Sequence, residues 1–166
     1  MIITEAEITQ LFEKFGSSRV LVIGDVMIDA YLSGKVDRIS PEAPVPVVAL
    51  KKRNNMLGGA ANVALNVKAL GAEVILCSVI GNDKQGDKML NLLKNAGLSD
   101  AGIIRSDRRI TTTKFRIIGN RMQMLRIDEE IDTDLDPIDT AAILQRISGL
   151  LATQKPDVII FQDYNK

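Results

Sequence analysis

The sequence predicts an α/β fold built on a largely parallel sheet. Apolar runs without polar alternation recur along the chain: RVLVIG at Arg19–Gly24, EVILCSVI at Glu73–Ile80 and DVIIF at Asp157–Phe161. A strand covered on both faces loses the in–out alternation of a half-exposed one, as central parallel strands do. Between these runs lie stretches of helical composition, ended by Gly71 and Gly97. Strands alternating with helices in this way build a layered α/β domain.

Taken in order, Ile3–Phe15 reads as a short surface helix, with Ile8, Leu11, Phe12 and Phe15 at helical spacing. The first buried strand follows. Ala60–Leu70 is the next helix, with Gly71 as its stop. After the second strand, Lys84–Ala96 is an amphipathic helix that Asp83 is placed to cap and Gly97 to end. Pro137–Ala152 is the last helix, and Asp157–Phe161 another core strand.

Two stretches break this rhythm. Tyr31–Leu50 is extended in character, because Pro41, Pro44 and Pro46 discourage both helix and central sheet. Thr111–Asp128 contains TTTKFRII, then Gly119-Asn120, then RMQMLRID, an alternating pattern around a tight-turn dipeptide. Together they predict a small, half-exposed antiparallel sheet projecting from the main one. No repeat or low-complexity linker divides residues 1–166.

Composition excludes several classes of function. With 46% hydrophobic and 25% charged residues the chain is globular in type, and 21 Lys plus Arg balance 21 Asp plus Glu. No global field draws it to nucleic acid or membrane. No apolar run approaches the roughly 20 residues that cross a bilayer. MIITEAEITQLFEKF is acidic and amphipathic, unlike a secretory signal, so a cytoplasmic address is expected. The lone Cys77 rules out an internal disulfide and reads as a small buried hydrophobe. The absence of histidine removes Ser-His and Cys-His pairs and any His-ligated metal, leaving carboxylates, Lys or Tyr for acid–base work.

The most informative segment is LGGAANVALNVKALGAEVILCSVIGNDKQG. Gly58-Gly59 before a helix permits positive φ and a close approach of ligand to backbone. Small residues in the first turn keep that space open. Asn62 offers an amide that both donates and accepts, a match for sugar hydroxyls. A glycine-rich helix start with Asn62 turned to its own backbone would leave the same trace.

The spacing of Gly58, Gly59, Asn62, Ala64, Gly71 and Gly81 resembles the first signature of the ribokinase-like (phosphofructokinase B type) sugar kinases. Within that family, GDVMIDAYLSGKVDRISPEAPVPVV, GGAANVALNVKALGAEV, TTTKFRIIGNRMQMLRIDEE and the terminal DYNK are similar to the bacterial heptose 7-phosphate kinases. The resemblance runs from about Arg19 to Lys166. It implies a ribokinase-like α/β fold with a β-clasp lid from segments 31–50 and 111–128, and a homodimer through that clasp. It further implies ATP-dependent phosphorylation of D-glycero-β-D-manno-heptose 7-phosphate at its anomeric hydroxyl, for ADP-heptose and lipopolysaccharide. ATP and Mg²⁺ would serve the full-length enzyme, which in many members carries a fused adenylyltransferase domain.

The same resemblance places a sugar-binding carboxylate at Asp29, with Gly58, Gly59 and Asn62 beside it and Asp25 as a further candidate. Arg38, Lys114 and Arg116 on the clasp, with Arg126 nearby, are candidate cations for a sugar phosphate. Asp163 and Lys166 are expected near the reacting phosphates. The family's second glycine-rich turn, with its general-base Asp, does not occur before Lys166, so no catalytic residue is assigned. The chain is expected to be the N-terminal, acceptor-binding part of such a kinase, truncated on its C-terminal side, inactive alone and binding no cofactor. A kinase for another sugar, or a non-catalytic sugar-binding or dimerising module, fits the same glycine spacing. A Rossmann dehydrogenase does not, since GDVMID lacks the glycine fingerprint for a pyrophosphate.

Overall fold

The computed structural model describes residues 3–165. Strand β1 (Arg19–Gly24) is flanked in parallel by β4 (Glu73–Gly81) and β8 (Val158–Gln162), with β5 (Gly102–Ser106) beyond β4. Alternate residues of β1 serve opposite faces. Val20 and Val22 join a cluster with Ala64 of α2 (Ala60–Ala69) and with Met89 and Leu93 of α3 (Lys84–Asn95). Leu21 joins Ile75, Cys77 and Leu150, the last from α4 (Pro137–Gln154). Both faces are covered, which is the physical reason the strand shows no alternation. Cys77 is fully buried as expected, and burial pushes its thiol up to about 11.

Helix ends follow from side-chain caps. Thr4 and Glu7 form a reciprocal capping box that starts α1 (Glu5–Gly16), none of whose described residues is buried. Asp83 caps α3 by accepting the Gly86 N–H at 2.7 Å. Asp136 caps α4 just before Pro137, whose missing N–H costs nothing at that position. No helix among the described residues is long and apolar enough to cross a membrane.

The second sheet departs from expectation in extent and pairing. It comprises β2 (Val26–Ile39), β3 (Pro46–Gly59), β6 (Thr113–Gly119) and β7 (Met122–Glu129), in the order β3-β2-β6-β7. β3 extends through residues 51–59, well past the prolines, so the clasp reaches back to Gly59. β2 pairs antiparallel with β3 but parallel with β6, making the sheet mixed rather than antiparallel. The cause is topological. β2 follows β1 and β6 follows β5, so both leave the same edge of a parallel sheet and run outward together. The β6–β7 turn is Asn120-Arg121, with φ of 49° and 69°, and Gly119 belongs to the strand. β8 sits at an edge, with Phe161 74% exposed, whereas a core strand was expected there. The short β5 was not anticipated, because GIIRS is too brief for a periodicity to register.

A buried ionic latch ties α4 to the end of β5. Asp139, in the first turn of α4, accepts from the Ser106 hydroxyl and from Arg108, each at 2.5 Å, and is 2% exposed. Burial alone would raise its carboxyl. The hydrogen bonds from Ser106 and Arg108, with the charges of Arg108 and Arg109, outweigh burial and hold it below the ordinary carboxylate range. A depressed folded-state value means stabilisation that is present above the unfolded value of about 3.9 and lost as pH falls through the folded one. Asp139→Ala should therefore destabilise the chain by about 2 kcal/mol at pH 7, since Ser106 is left buried without its acceptor. In denaturant titrations the difference from the parent should shrink below about pH 4. An equal difference at pH 7 and pH 3 would show that the carboxylate charge is not what stabilises.

Candidate functional site

The main-chain groups of Asp25 join three elements. Its N–H donates to the carbonyl of Gln162 in β8 at 3.1 Å, and its carbonyl accepts the N–H of Ala60, the first residue of α2, at 2.9 Å. Its carboxylate accepts the backbone N–H of Tyr164 at 2.8 Å. This junction lies at the C-terminal edge of the parallel sheet, where α/β folds place ligands. A cavity of about 180 Å³ opens beside it, lined by Asp25, Ser78, Arg109 and Ile147 among others.

The paired glycines do two different things here. Gly59 has φ +57° and directly precedes α2, and a Cβ on it would stand 2.2 Å from the Asp25 carbonyl oxygen. Only glycine tolerates both conditions. A Cβ on Gly58 would stand 2.7 Å from Oδ2 of Asp29 and 2.8 Å from the Met27 side chain. Gly58 thus leaves the space that the Asp29 carboxylate occupies. Asn62 follows in the first turn of α2, exposed, its side chain in no hydrogen bond among the described residues.

Charge around Asp29 is already arranged. Arg116 forms a direct ion pair with the Asp29 carboxylate, both side chains about one-fifth exposed. The guanidinium also lies over the Tyr31 ring, 5.4 Å from its centroid, a cation–π contact that restrains it. Lys114 is opposite Asp29 in the strand register, but its ammonium bonds Asp128 at 2.9 Å and Glu130 at 2.7 Å. Desolvation pulls Lys114 down. Its hydrogen bonds to Glu130 and Asp128, and their charges, more than offset this and hold it above the ordinary lysine value.

The structure therefore gathers Asp29, Gly58, Gly59 and Arg116 at the base of the clasp, with Asp25 at its root and Asn62 exposed in the first turn of the adjoining α2. It does not bring Arg38 there. Arg38 lies nine residues beyond Asp29 on β2, about 30 Å of extended strand away, exposed near the clasp tip. Arg126 is bonded to Asp128 at 2.9 Å. Asp163 is exposed and accepts from the Asn165 N–H at 2.7 Å. Lys166 lies outside the described residues.

Three contributors were not anticipated. Tyr31 shares the Asp29 face of β2, and strand alternation from Asp29 would have found it. Arg109 donates to the carbonyls of Ile131 and Thr133, each at 2.9 Å, so it holds the chain leading into α4. No sequence pattern marks such a loop arginine. Asp83 does more than cap α3. Its second oxygen accepts the Thr111 N–H at 2.8 Å and so fixes the entry to β6. Burial would raise this carboxyl, but hydrogen bonds from the Thr111, Gly86 and Gln85 backbone N–H groups and the Thr111 side chain keep it low.

Parallel sheet, projecting clasp and glycine-lined carboxylate together define a sugar-kinase type of fold. Residues 17–160 match the pfkB family of carbohydrate kinases, and the chain belongs to that family. It is 44% identical over 148 residues to the bifunctional protein HldE of Helicobacter pylori, covering 89% of this chain and 32% of that protein. It is 43% identical over 156 residues to the D-β-D-heptose 7-phosphate kinase of Bordetella bronchiseptica, covering 93% of this chain and 48% of that protein. The chain thus spans a third to a half of these relatives. Among solved structures it resembles the ribokinase of Cryptococcus neoformans in complex with ADP (TM-score 0.54, 19% identity, 87% of this chain and 49% of that one). The ribokinase of Thermotoga maritima matches similarly (TM-score 0.54, 19% identity, 87% and 52%). At such identities the structural likeness speaks for the fold.

The two glycines should respond differently to alanine. Gly59→Ala meets a backbone oxygen that cannot rotate away and a φ that alanine resists. It should cost about 3 kcal/mol, lowering the thermal midpoint by roughly 6–12 °C. Gly58→Ala meets mainly side chains and should leave the midpoint within a few degrees of the parent. Its effect should be local, displacing the Asp29 carboxylate from Arg116, visible in the Arg116 side-chain NMR resonances. Equal melting curves for both variants would overturn this division.

Proposed function

We propose that this chain forms the acceptor-binding part of an ATP-dependent kinase that phosphorylates D-glycero-β-D-manno-heptose 7-phosphate at its anomeric hydroxyl. The observation that carries the reading is the Asp29 carboxylate set in the space left by Gly58, one residue before the glycine that leads into α2. Identity of 43% to a relative named for that substrate supports the choice of sugar.

In this reading Asp29 accepts hydrogen bonds from adjacent sugar hydroxyls, a strong charge-assisted pairing. Asn62 supplies an amide to a further hydroxyl, and Gly58-Gly59 lets the ring approach the main chain. Arg116 on Tyr31 holds Asp29 in place. Asp25 keeps the root of the clasp against β8 and α2 rather than contacting the sugar. ATP, with Mg²⁺, would supply the phosphoryl group that the anomeric oxygen receives. Among the described residues no group of three Asp, Glu or Cys converges to hold a metal, so none is assigned to Mg²⁺. Relatives named bifunctional support an adenylyltransferase domain in the longer protein, and an ATP-using reaction of this kind supports a cytoplasmic address.

Loss of a hydrogen bond to or from a charged partner is worth roughly 1.5–3 kcal/mol. Asp29→Ala in the full-length protein should therefore lower kcat/KM for heptose 7-phosphate about tenfold or more, and Asn62→Ala somewhat less. Values within twofold of the parent for both variants would sink the assignment of this site.

The clasp also supports a homodimer. Leu125 opposes Ile117 and Ile127 opposes Phe115, so these side chains share one face of the sheet. Leu125 is 55% and Ile127 47% exposed, an apolar surface that a second clasp would cover. Sedimentation should give a dimer that Leu125→Glu with Ile127→Glu converts to monomer. A parent that stays monomeric at high concentration would overturn it.

A further inference from the structure

The outer clasp carries a polar surface that neither the glycine signature nor the Asp29 pair explains. A groove of about 630 Å³ lies there, lined by Ser33, Lys35, Lys51, Lys52, Asn120 and Arg121 among others. The register places it on the same face as Asp29. Side chains alternate along a strand, so Asp29, Tyr31, Ser33 and Lys35 of β2 share one face. Ser33 is flanked by Lys52 of β3 on one side and Ile118 of β6 on the other, and Tyr31 by Arg116, so all lie on that face too. The register shift after Ser33 leaves Lys51 as the extra residue of β3, at the rim of the groove. Ser33 stands four residues from Asp29, about 13 Å along the strand.

The charges of this groove are unevenly satisfied. Lys35 is paired with Asp37 at 2.8 Å. Asn120 is engaged with the N–H and carbonyl of Val36, at 3.1 and 2.9 Å, and so fixes the turn. Among the described residues no carboxylate pairs with Lys51, Lys52 or Arg121. Lysines on an edge strand such as β3 also prevent stray strand pairing. That purpose does not explain Arg121. It occupies the second turn position, with φ +69°, where the backbone favours glycine. An arginine kept in a strained conformation beside unpaired cations is grounds for a functional assignment.

We propose that this groove binds the phosphoryl end of an acceptor whose hydroxyls lie at Asp29. The inference rests on the sugar-kinase reading and refines it. Lys114 and Arg116 are already held by carboxylates, so they are poorly placed to take a phosphate dianion. The unpaired cations lie further out on the same face, in the groove that Ser33 also lines. The separation from Asp29 is bridged by a phosphorylated sugar and the reach of a lysine side chain.

The test uses the isotope-labelled chain and two separate probes. Inorganic phosphate, against sodium chloride of equal ionic strength, should shift the amides of Ser33, Lys35, Lys52 and Arg121 saturably. The triple variant Lys51→Ala, Lys52→Ala, Arg121→Ala should weaken that binding at least fivefold, and Lys14→Ala should not. Arg121→Gly alone, which relieves the turn and so preserves the fold, should weaken it measurably. Equal shifts with chloride, or unchanged affinity in both variants, would overturn the groove assignment. Unphosphorylated D-glycero-D-manno-heptose, the second probe, reports on Asp29 separately. Heptose shifts at Asp29 and Asn62 without phosphate shifts would reject the groove and leave the kinase reading standing. Phosphate shifts without heptose shifts would keep the anion site and reject that reading.

Discussion

The backbone of Asp25 is the constraint on which this architecture depends. Its N–H is committed to β8 and its carbonyl to the start of α2. The parallel sheet, the clasp and the first helix of the site therefore diverge from one residue. Gly59 must return within 2.2 Å of that carbonyl, measured to where its Cβ would be, for β3 to hand the chain to α2. Were the junction looser, β2 could still pair with β3. The relation between the Asp29 carboxylate and the α2 N-terminus would then no longer be set. A site made of residues from a strand and a helix needs such a shared origin to hold its geometry.

Around that junction the molecule neutralises its own charges in pairs. Arg116 meets Asp29, Lys114 meets Asp128 and Glu130, and Arg108 meets Asp136 and Asp139. Exposed pairs of this kind contribute little to stability. Those near one-fifth exposure matter more, because a lone charge left there would be poorly solvated. The arrangement matches the zero net charge of these 166 residues, in which Lys35, Lys114, Arg116 and Arg126 of the clasp each meet a carboxylate locally.

Much of the core was legible in the sequence because burial on both faces leaves a mark. β1 and β4 show unbroken apolar runs, and the capped, amphipathic α3 announces its period and its start. The clasp was legible only as a departure from rhythm. Its mixed pairing depends on which edge of the parent sheet each strand leaves, and no local pattern encodes that. Pro46 starts β3 at the tip of an edge strand, where no neighbour needs its N–H, so prolines did not end the sheet there. The glycines and Asp29 were singled out through spacing and resemblance. The partner of Arg116 was not, because a guanidinium is equally suited to a phosphate and to a carboxylate. Arg38 shows the opposite failure, since proximity to Asp29 in sequence is lost along fourteen residues of extended strand.

The pairing of Arg116 with Asp29 also bears on how such a site would select its ligand. A carboxylate held on one side by a guanidinium keeps lone pairs for hydroxyl donors on the other, but its position is no longer free. A ligand lacking a hydroxyl at the right height leaves those lone pairs unmatched in a half-buried setting, which is costly. The glycine at position 58 allows the carboxylate close to the main chain, so the height is set by backbone rather than by rotamer choice. Tyr31, Arg116 and Asp29 sit on strands that continue outward and are joined by the β2–β6 ladder. Hydroxyl recognition at the base and charge recognition further out would thus be read by one rigid sheet, hinged where Asp25 joins it to the parallel layer.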